Sequence, residues 1–220
     1  MIELIETTAG PRKILSDDTV ISTLIREKKT MEWDEPFITL PEVQRLNSGS
    51  VVVDAGAYIG DTAETFIRLG ATVYAFEPRP DAFECLQFNC PGPKVYAFPL
   101  ALGHGEYYRF GEENENKGAR RLTTSDKGPY MAIKLDHISI PSLDFLKIDV
   151  EGWEYSVLRG ARMTIGKFRP SIAIEINPSA LAVQGRSELA IHNFLEEQNY
   201  QWREYYRFKD ENWDLICTPK

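Results

Sequence analysis

Residues Val51 to Asp61 read VVVDAGAYIGD, and this stretch decides the fold. Three β-branched residues in a row, bounded by glycine, predict a short buried strand. Asp54 ends the apolar run, and Gly56 and Gly60 follow before DTAETFIRLG (61–70), which predicts a helix closed by Gly70. Glycine weakens regular structure and is useful where backbone turns sharply or meets something closely. Here the two glycines let the chain turn without a Cβ, so that a ligand can lie against the main chain and the helix N-terminus.

The pattern repeats outward from this unit. ATVYAFEP (71–78) predicts a second strand stopped by Pro78, and Pro80 to Cys90 a helix. KVYAFPLALG (94–103) predicts a third strand, YMAIKLDHISI (130–140) a strand and loop, and FLKIDVEG (145–152) a further strand. EYSVLRGA (154–161) reads as a helix, PSIAIEINP (170–178) as a strand between prolines, and SELAIHNFLEEQ (187–198) as an amphipathic helix opened by Ser187. WREYYRF, a KDEN turn and WDLICTP predict a terminal hairpin. Alternation of this kind implies an α/β fold, a Rossmann-like doubly wound sheet that is mostly parallel, with a C-terminal antiparallel hairpin. SDDTVISTLIREKK, with Ser16 as N-cap, predicts that residues 1–50 form a helical segment packing on a core domain of residues 51–220.

Composition narrows the function. With 220 residues, 43% of them apolar, the chain suits one large domain. A net charge of −8 argues against a general nucleic-acid binder. No run approaches the roughly 18 apolar residues of a membrane span, and MIELIETTAGPRK lacks the pattern of a signal peptide. Cys85, Cys90 and Cys217 are odd in number and unevenly spaced, which fits buried thiols in a reducing, cytoplasmic setting better than a disulfide. His104, His137 and His192 form no zinc spacing.

In open α/β sheets ligands sit outside the carboxyl ends of the strands. Glu77 stands at such an end, 21 residues after Gly56, where an acid binds ribose hydroxyls in nucleotide-binding folds. A nicotinamide site wants G-x-G-x-x-G, but positions 58 and 59 are Tyr58 and Ile59. What remains, D-x-G-x-x-x-G, resembles the first motif of class I S-adenosylmethionine-dependent methyltransferases. A nicotinamide-dependent oxidoreductase and a non-catalytic binding module of the same fold are the alternatives.

FLKIDVEGWEYSVLRGA (145–161) carries three acids, Asp149, Glu151 and Glu154, at a strand's carboxyl end. With DAGAYIG, FEP and IAIEIN, this stretch resembles the FkbM family of S-adenosylmethionine-dependent O-methyltransferases. The resemblance runs from about Val51 to Asn177, and departs from the family where Asn177 stands in place of a common His. It implies a sheet with one reversed strand near an edge, S-adenosylmethionine as donor, and a hydroxyl of a sugar, glycan or other natural product as acceptor. Donor contacts are expected from Asp54, Gly56, Tyr58, Gly60, Glu77, Ala101, Leu102 and Asp149. The expected partner is thus a small-molecule or glycan hydroxyl, with no nucleic acid and no membrane; self-association stays open.

Methyl transfer to an alcohol requires removal of its proton, by a base or by a metal bound to the oxygen. Asp149, Glu151 and Glu175 are the candidate catalytic acids. Asp149, Glu175 and Asn177 also resemble the ligand set of metal-dependent catechol-type O-methyltransferases, which would suit Mg²⁺ or Ca²⁺; the metal-free reading is slightly preferred. The polar segment 111–130 suits a loop over the acceptor, with Arg120 and Arg121 as candidate anion contacts.

Overall fold

In the computed structural model, which describes residues 1–31, 36–111, 121–125, 128–208 and 212–220, the run VVVDA is a strand with all five residues buried. An unbroken apolar strand needs cover on both faces, and it receives it. The chain opens with β1 (Ile2–Thr7), β2 (Gly10–Leu15), α1 (Ile21–Lys28) and a single turn, α2 (Pro41–Gln44). The alternating part follows as β3 (Val51–Ala55), α3 (Asp61–Arg68), β4 (Thr72–Phe76), α4 (Pro80–Asn89) and β5 (Val95–Phe98). Three short strands, β6 (Tyr107–Phe110), β7 (Leu122–Thr124) and β8 (Tyr130–Met131), form a small sheet of their own. Then come β9 (Phe145–Ile148), α5 (Glu154–Gly160), α6 (Arg162–Phe168), β10 (Ser171–Ile176), α7 (Pro178–Val183), α8 (Glu188–Glu197), β11 (Tyr200–Phe208) and β12 (Asn212–Pro219).

The central sheet has the order β11-β12-β10-β9-β3-β4-β5. β3, β4, β5, β9 and β10 pair in parallel, while β12 runs antiparallel to both β10 and β11. The reversed strand therefore lies second from the edge. Successive side chains alternate between the faces. Val53, Ala55, Leu146 and Ile148 meet Val157, Leu158, Ile191 and Leu195 on one side, while Val52 and Phe145 meet Phe66 and Leu86 on the other. The order and the reversed β12 match the doubly wound, mostly parallel sheet with a closing antiparallel hairpin expected from the sequence.

The N-terminal segment differs from the helical expectation. Its first fifteen residues form a hairpin with Gly10 at φ +98°, and only Ile21–Lys28 of the expected helix forms. Ser16 bonds the Met1 carbonyl instead of capping that helix. Asp18 takes over, its carboxylate accepting the Val20 and Ser22 N–H groups at 3.1 and 2.7 Å. The segment does pack on the core, because Ile14, Leu15 and Ile25 bury against Ala82 and Cys85. The third expected strand stops at Phe98, where Pro99 follows and offers no N–H to the ladder. Parts of segment 111–130 are strand rather than loop: Leu122–Thr124 and Tyr130 pair with β6. Arg120 and most of the KDEN turn lie outside the described residues. All three cysteines are free and buried. Among the described residues no helix is long and apolar enough to cross a membrane.

Two helical glycines make opposite predictions. A Cβ on Gly160 in α5 would lie 1.8 Å from the Gly103 carbonyl oxygen, whereas one on Gly166 in α6 would meet only the Gln198 side chain at 3.5 Å. Gly160→Ala should destabilise the protein by at least about 1–3 kcal/mol. Gly166→Ala should stabilise it by about 0.5–1 kcal/mol. Thermal melting of both variants reads the two signs directly.

Candidate active site

The carboxyl ends of β3, β4 and β9 are bound together by the main chain. The N–H groups of Gly56 and Ala57 both donate to the Phe76 carbonyl at 3.0 and 3.1 Å, and that of Asp149 to the Ala55 carbonyl at 3.0 Å. Gly56, at φ +84°, is required twice: its conformation disfavours a side chain, and a Cβ there would sit 1.8 Å from the Asp149 carbonyl oxygen. A cleft of about 940 Å³, its open mouth included, begins at this junction. Gly56, Tyr58, Glu77, Ala101, Leu102, Asp149 and Glu151 all line it.

Glu77 is buried at the end of β4, its two oxygens accepting the N–H groups of Tyr58 at 3.0 Å and Arg79 at 2.8 Å. Each oxygen keeps a second acceptor direction. Burial pushes the carboxyl up to about 7, against the pull of those two N–H groups and of the Arg79 guanidinium. Tyr58 sits at φ +46°, an uncommon conformation for a bulky residue. Its hydroxyl donates to Asp18 at 3.0 Å, so the N-terminal segment braces the wall of the cleft. Along the other wall Phe76, Ala101, Leu102 and Trp153 present an apolar surface.

Two expected donor contacts stand elsewhere. Gly60 is the residue before α3 and is not among the residues lining the cleft; a Cβ on it would meet Cys90 Sγ at 2.6 Å. Asp54 is wholly buried and not among the residues lining the cleft, and neither of its oxygens has a partner among the described residues. Burial pushes its carboxyl up to about 7, opposed by the charge of Lys147.

Lys147 is a charged site residue that sequence reasoning missed. Its Nζ lies 2.9 Å from Asp149 Oδ2. Burial opposes its charge, but the carboxylates of Asp149, Asp54 and Asp61 outweigh that and hold the ammonium well above the usual lysine range. The signal was available: a lone cation inside the apolar strand FLKI, on the same face as Asp54 in the neighbouring strand.

Asp149, Glu151 and Glu175 converge, each offering a carboxylate oxygen within 4.8 Å of the others. Burial, then repulsion from Asp149, raises both Glu151 and Glu175 above the ordinary carboxylate range. Glu151 reaches the cluster from a backbone at φ +54°, followed by Gly152 at φ +100°. Asn177 caps α7, its oxygen accepting the Ala180 N–H at 3.0 Å and the Ser179 hydroxyl at 2.8 Å.

The buried acids make stability pH-dependent. An unfolded Asp titrates near 3.9, so between about pH 4 and 7 folded Asp54 keeps a proton that the unfolded chain has released. Its stabilising contribution is complete below that window and is lost as pH rises through about 7. Glu77 and Glu154, raised by burial to about 7, act in the same sense. The melting temperature should fall between pH 5 and 8, and Asp54→Asn should reduce that fall; an unchanged slope would exclude Asp54 as a contributor.

The family model of the Methyltransferase FkbM domain matches residues 54–202, more than half of the chain. A hexuronic acid methyltransferase of Haloferax volcanii is 28% identical over 126 residues, 54% of this chain and 52% of that protein. The chain thus spans about half the length of the curated relative it matches. Among solved structures, Methyltransferase FkbM from Methylobacillus flagellatus superposes with a TM-score of 0.59 at 21% identity, over 83% of this chain and 48% of that one. A Streptococcus mutans protein solved in complex with S-adenosylhomocysteine gives 0.55 at 12% identity, over 85% and 99% of the two chains. These structures share the fold, and the match of motifs from Asp54 onward identifies the chain as a member of the FkbM methyltransferase family.

Proposed function

We propose that the protein transfers a methyl group from S-adenosylmethionine to an oxygen of a sugar. The observation that carries the reading is the composition of the cleft. An apolar wall of Phe76, Ala101, Leu102 and Trp153, a buried carboxylate at Glu77 and a charged end at Lys147 and Asp149 match an adenine, a ribose diol and an amino-acid zwitterion in turn. Glu77 would accept from the ribose hydroxyls through the acceptor directions its backbone bonds leave free. Ala101 and Leu102 would pack on the base, and the Lys147–Asp149 pair would face the methionine end. When bound, the donor supplies an electrophilic sulfonium methyl. The hexuronic acid methyltransferase of Haloferax volcanii supports a sugar as acceptor.

The chain's own contribution is to position the acceptor and to take its proton. Holding the reactants in line can supply about 7–11 kcal/mol of barrier reduction, and a placed base about 10²–10⁴-fold in rate. Glu151 serves as base, because burial and the neighbouring acids raise its proton affinity toward working pH, where base catalysis is most effective. Glu175 holds the acceptor. A divalent cation on Asp149, Glu151 and Glu175 is the second reading, favoured by their convergence. Lys147 weighs against it, since its ammonium already occupies one Asp149 oxygen and brings positive charge to the cluster.

Glu77→Ala should weaken S-adenosylhomocysteine binding at least tenfold in calorimetry, since two charge-assisted bonds are lost together. An unchanged affinity, or a stronger response to NAD than to S-adenosylhomocysteine, would overturn the donor assignment.

Turnover of a sugar acceptor should rise as pH increases through and above neutrality, and Glu151→Gln should abolish that limb. Full activity after exhaustive EDTA treatment is expected. Loss restored by Mg²⁺ or Ca²⁺ would replace the simple base with the metal.

A further inference from the structure

The turn that carries Tyr58 is held from outside the family domain, whose match begins at Asp54. Tyr58 sits at φ +46°, a conformation that a bulky residue keeps only when its surroundings over-determine it. Two clamps tie this turn to the N-terminal segment. The Tyr58 hydroxyl donates to Asp18 Oδ2 at 3.0 Å, and both residues are buried. One residue further on, Asn89 Nδ2 donates to the carbonyls of Ile59 and of Lys13 in β2, both at 2.8 Å, while Asn89 Oδ1 accepts the Lys13 N–H at 2.7 Å. Ile21, the first residue of α1, stands in the wall of the cleft itself.

We infer that Asp18 is a positioning residue for the donor: acting through Tyr58, it holds the Glu77 carboxylate in the orientation that selects a ribose diol. The inference rests on the donor reading above. Glu77 is gripped at both oxygens, Oε2 accepting the Tyr58 N–H at 3.0 Å and Oε1 the Arg79 N–H at 2.8 Å. With both bonds made, the carboxylate is held against rotation about its last side-chain bond. Its remaining acceptor directions are then fixed for two adjacent hydroxyls. The Arg79 bond is local, from two residues along the chain. The Tyr58 bond exists only while residue 58 stays at positive φ, and Asp18 anchors the side chain that keeps it there. Asp18 itself is not among the residues lining the cleft, so it acts only through Tyr58. Without its carboxylate the Tyr58 hydroxyl loses its acceptor inside the protein, which is costly. The backbone then relaxes from positive φ, its N–H leaves Oε2, and the Glu77 carboxylate turns. The apolar wall and the Lys147–Asp149 pair remain to bind the donor, but its hydroxyls contribute less.

The test is calorimetry on the full chain with S-adenosylhomocysteine and with its 2′,3′-dideoxy analogue, the readout being the ratio of the two dissociation constants. In the wild type the diol should give a preference of about tenfold or more, from two charge-assisted bonds to Glu77. Asp18→Ala should lower the ratio to about threefold or less as one of those bonds is lost. Asp18 also caps α1 through the Val20 and Ser22 N–H groups, so this variant should melt at a lower temperature as well. A merely structural role would weaken both ligands alike and leave the ratio at its wild-type value. Tyr58→Phe removes the same bond without touching the cap and should lower the ratio equally, which keeps the test decisive if Asp18→Ala fails to fold. A wild-type ratio retained in Tyr58→Phe would overturn the inference. Equal binding of the two ligands by the wild type would instead sink the assignment of Glu77 to the ribose, so the two failures are separable.

Discussion

At Gly56 the turn after one strand touches the end of another so closely that a methyl group could not fit between them; it would lie 1.8 Å from the Asp149 carbonyl oxygen. This contact joins the two most informative stretches of the chain. VVVDAGAYIGD meets FLKIDVEG there, with the Asp149 N–H bonded back to Ala55. Because the backbones interlock, Lys147 and Asp54 are forced onto the same side of the sheet, and Asp149 and Glu151 reach the mouth of the cleft. A side chain at position 56 would move β9 outward and pull apart the carboxylate cluster that depends on it.

The site so formed is costly to the fold. Asp54, Glu77 and Glu154 are buried acids, each pushed up to about 7, and Glu151 and Glu175 repel each other and Asp149. Natural proteins tend to break local rules of polar burial at functional sites and compensate elsewhere. Compensation here comes from the apolar layers on both sheet faces and from the N-terminal segment. That segment binds Tyr58 through Asp18, and its Arg12 makes two bonds to Glu64 on α3 at 3.3 and 2.8 Å. Its Lys13 backbone is held at both ends by Asn89. The hairpin thus braces the cleft from outside the motif-bearing core.

How far the sequence could be read depended on the range of the forces involved. Local patterns carried the alternation of strands and helices, the parallel sheet and its closing hairpin, because apolar periodicity, proline stops and glycine turns act over a few residues. They also carried Glu77, a single acid at a strand end, and the acids of KIDVEG. In segment 1–50 the helical signal of SDDTVISTLIREKK is local, whereas the two short strands before it carry no clear alternation. Their pairing is justified only by burial against Ala82 and Cys85, some seventy residues away in sequence.

Tertiary structure decided what depends on distant neighbours. Asn177 stands two residues after Glu175, and in the fold its oxygen accepts the Ala180 N–H at the start of α7. Gly60 ends the turn after β3, and in the fold its Cα lies so close to Cys90 that a Cβ would meet the sulfur. Lys147 escaped notice because a lysine in a strand has no meaning until the carboxylates around it are known, and these come from β3, α3 and its own strand end. The sequence by itself determined the sheet, the turn and the family, since those follow from residue type and spacing. Only the folded chain determined which charges face one another, because Coulomb interaction and desolvation depend on distance in space and not on separation along the chain.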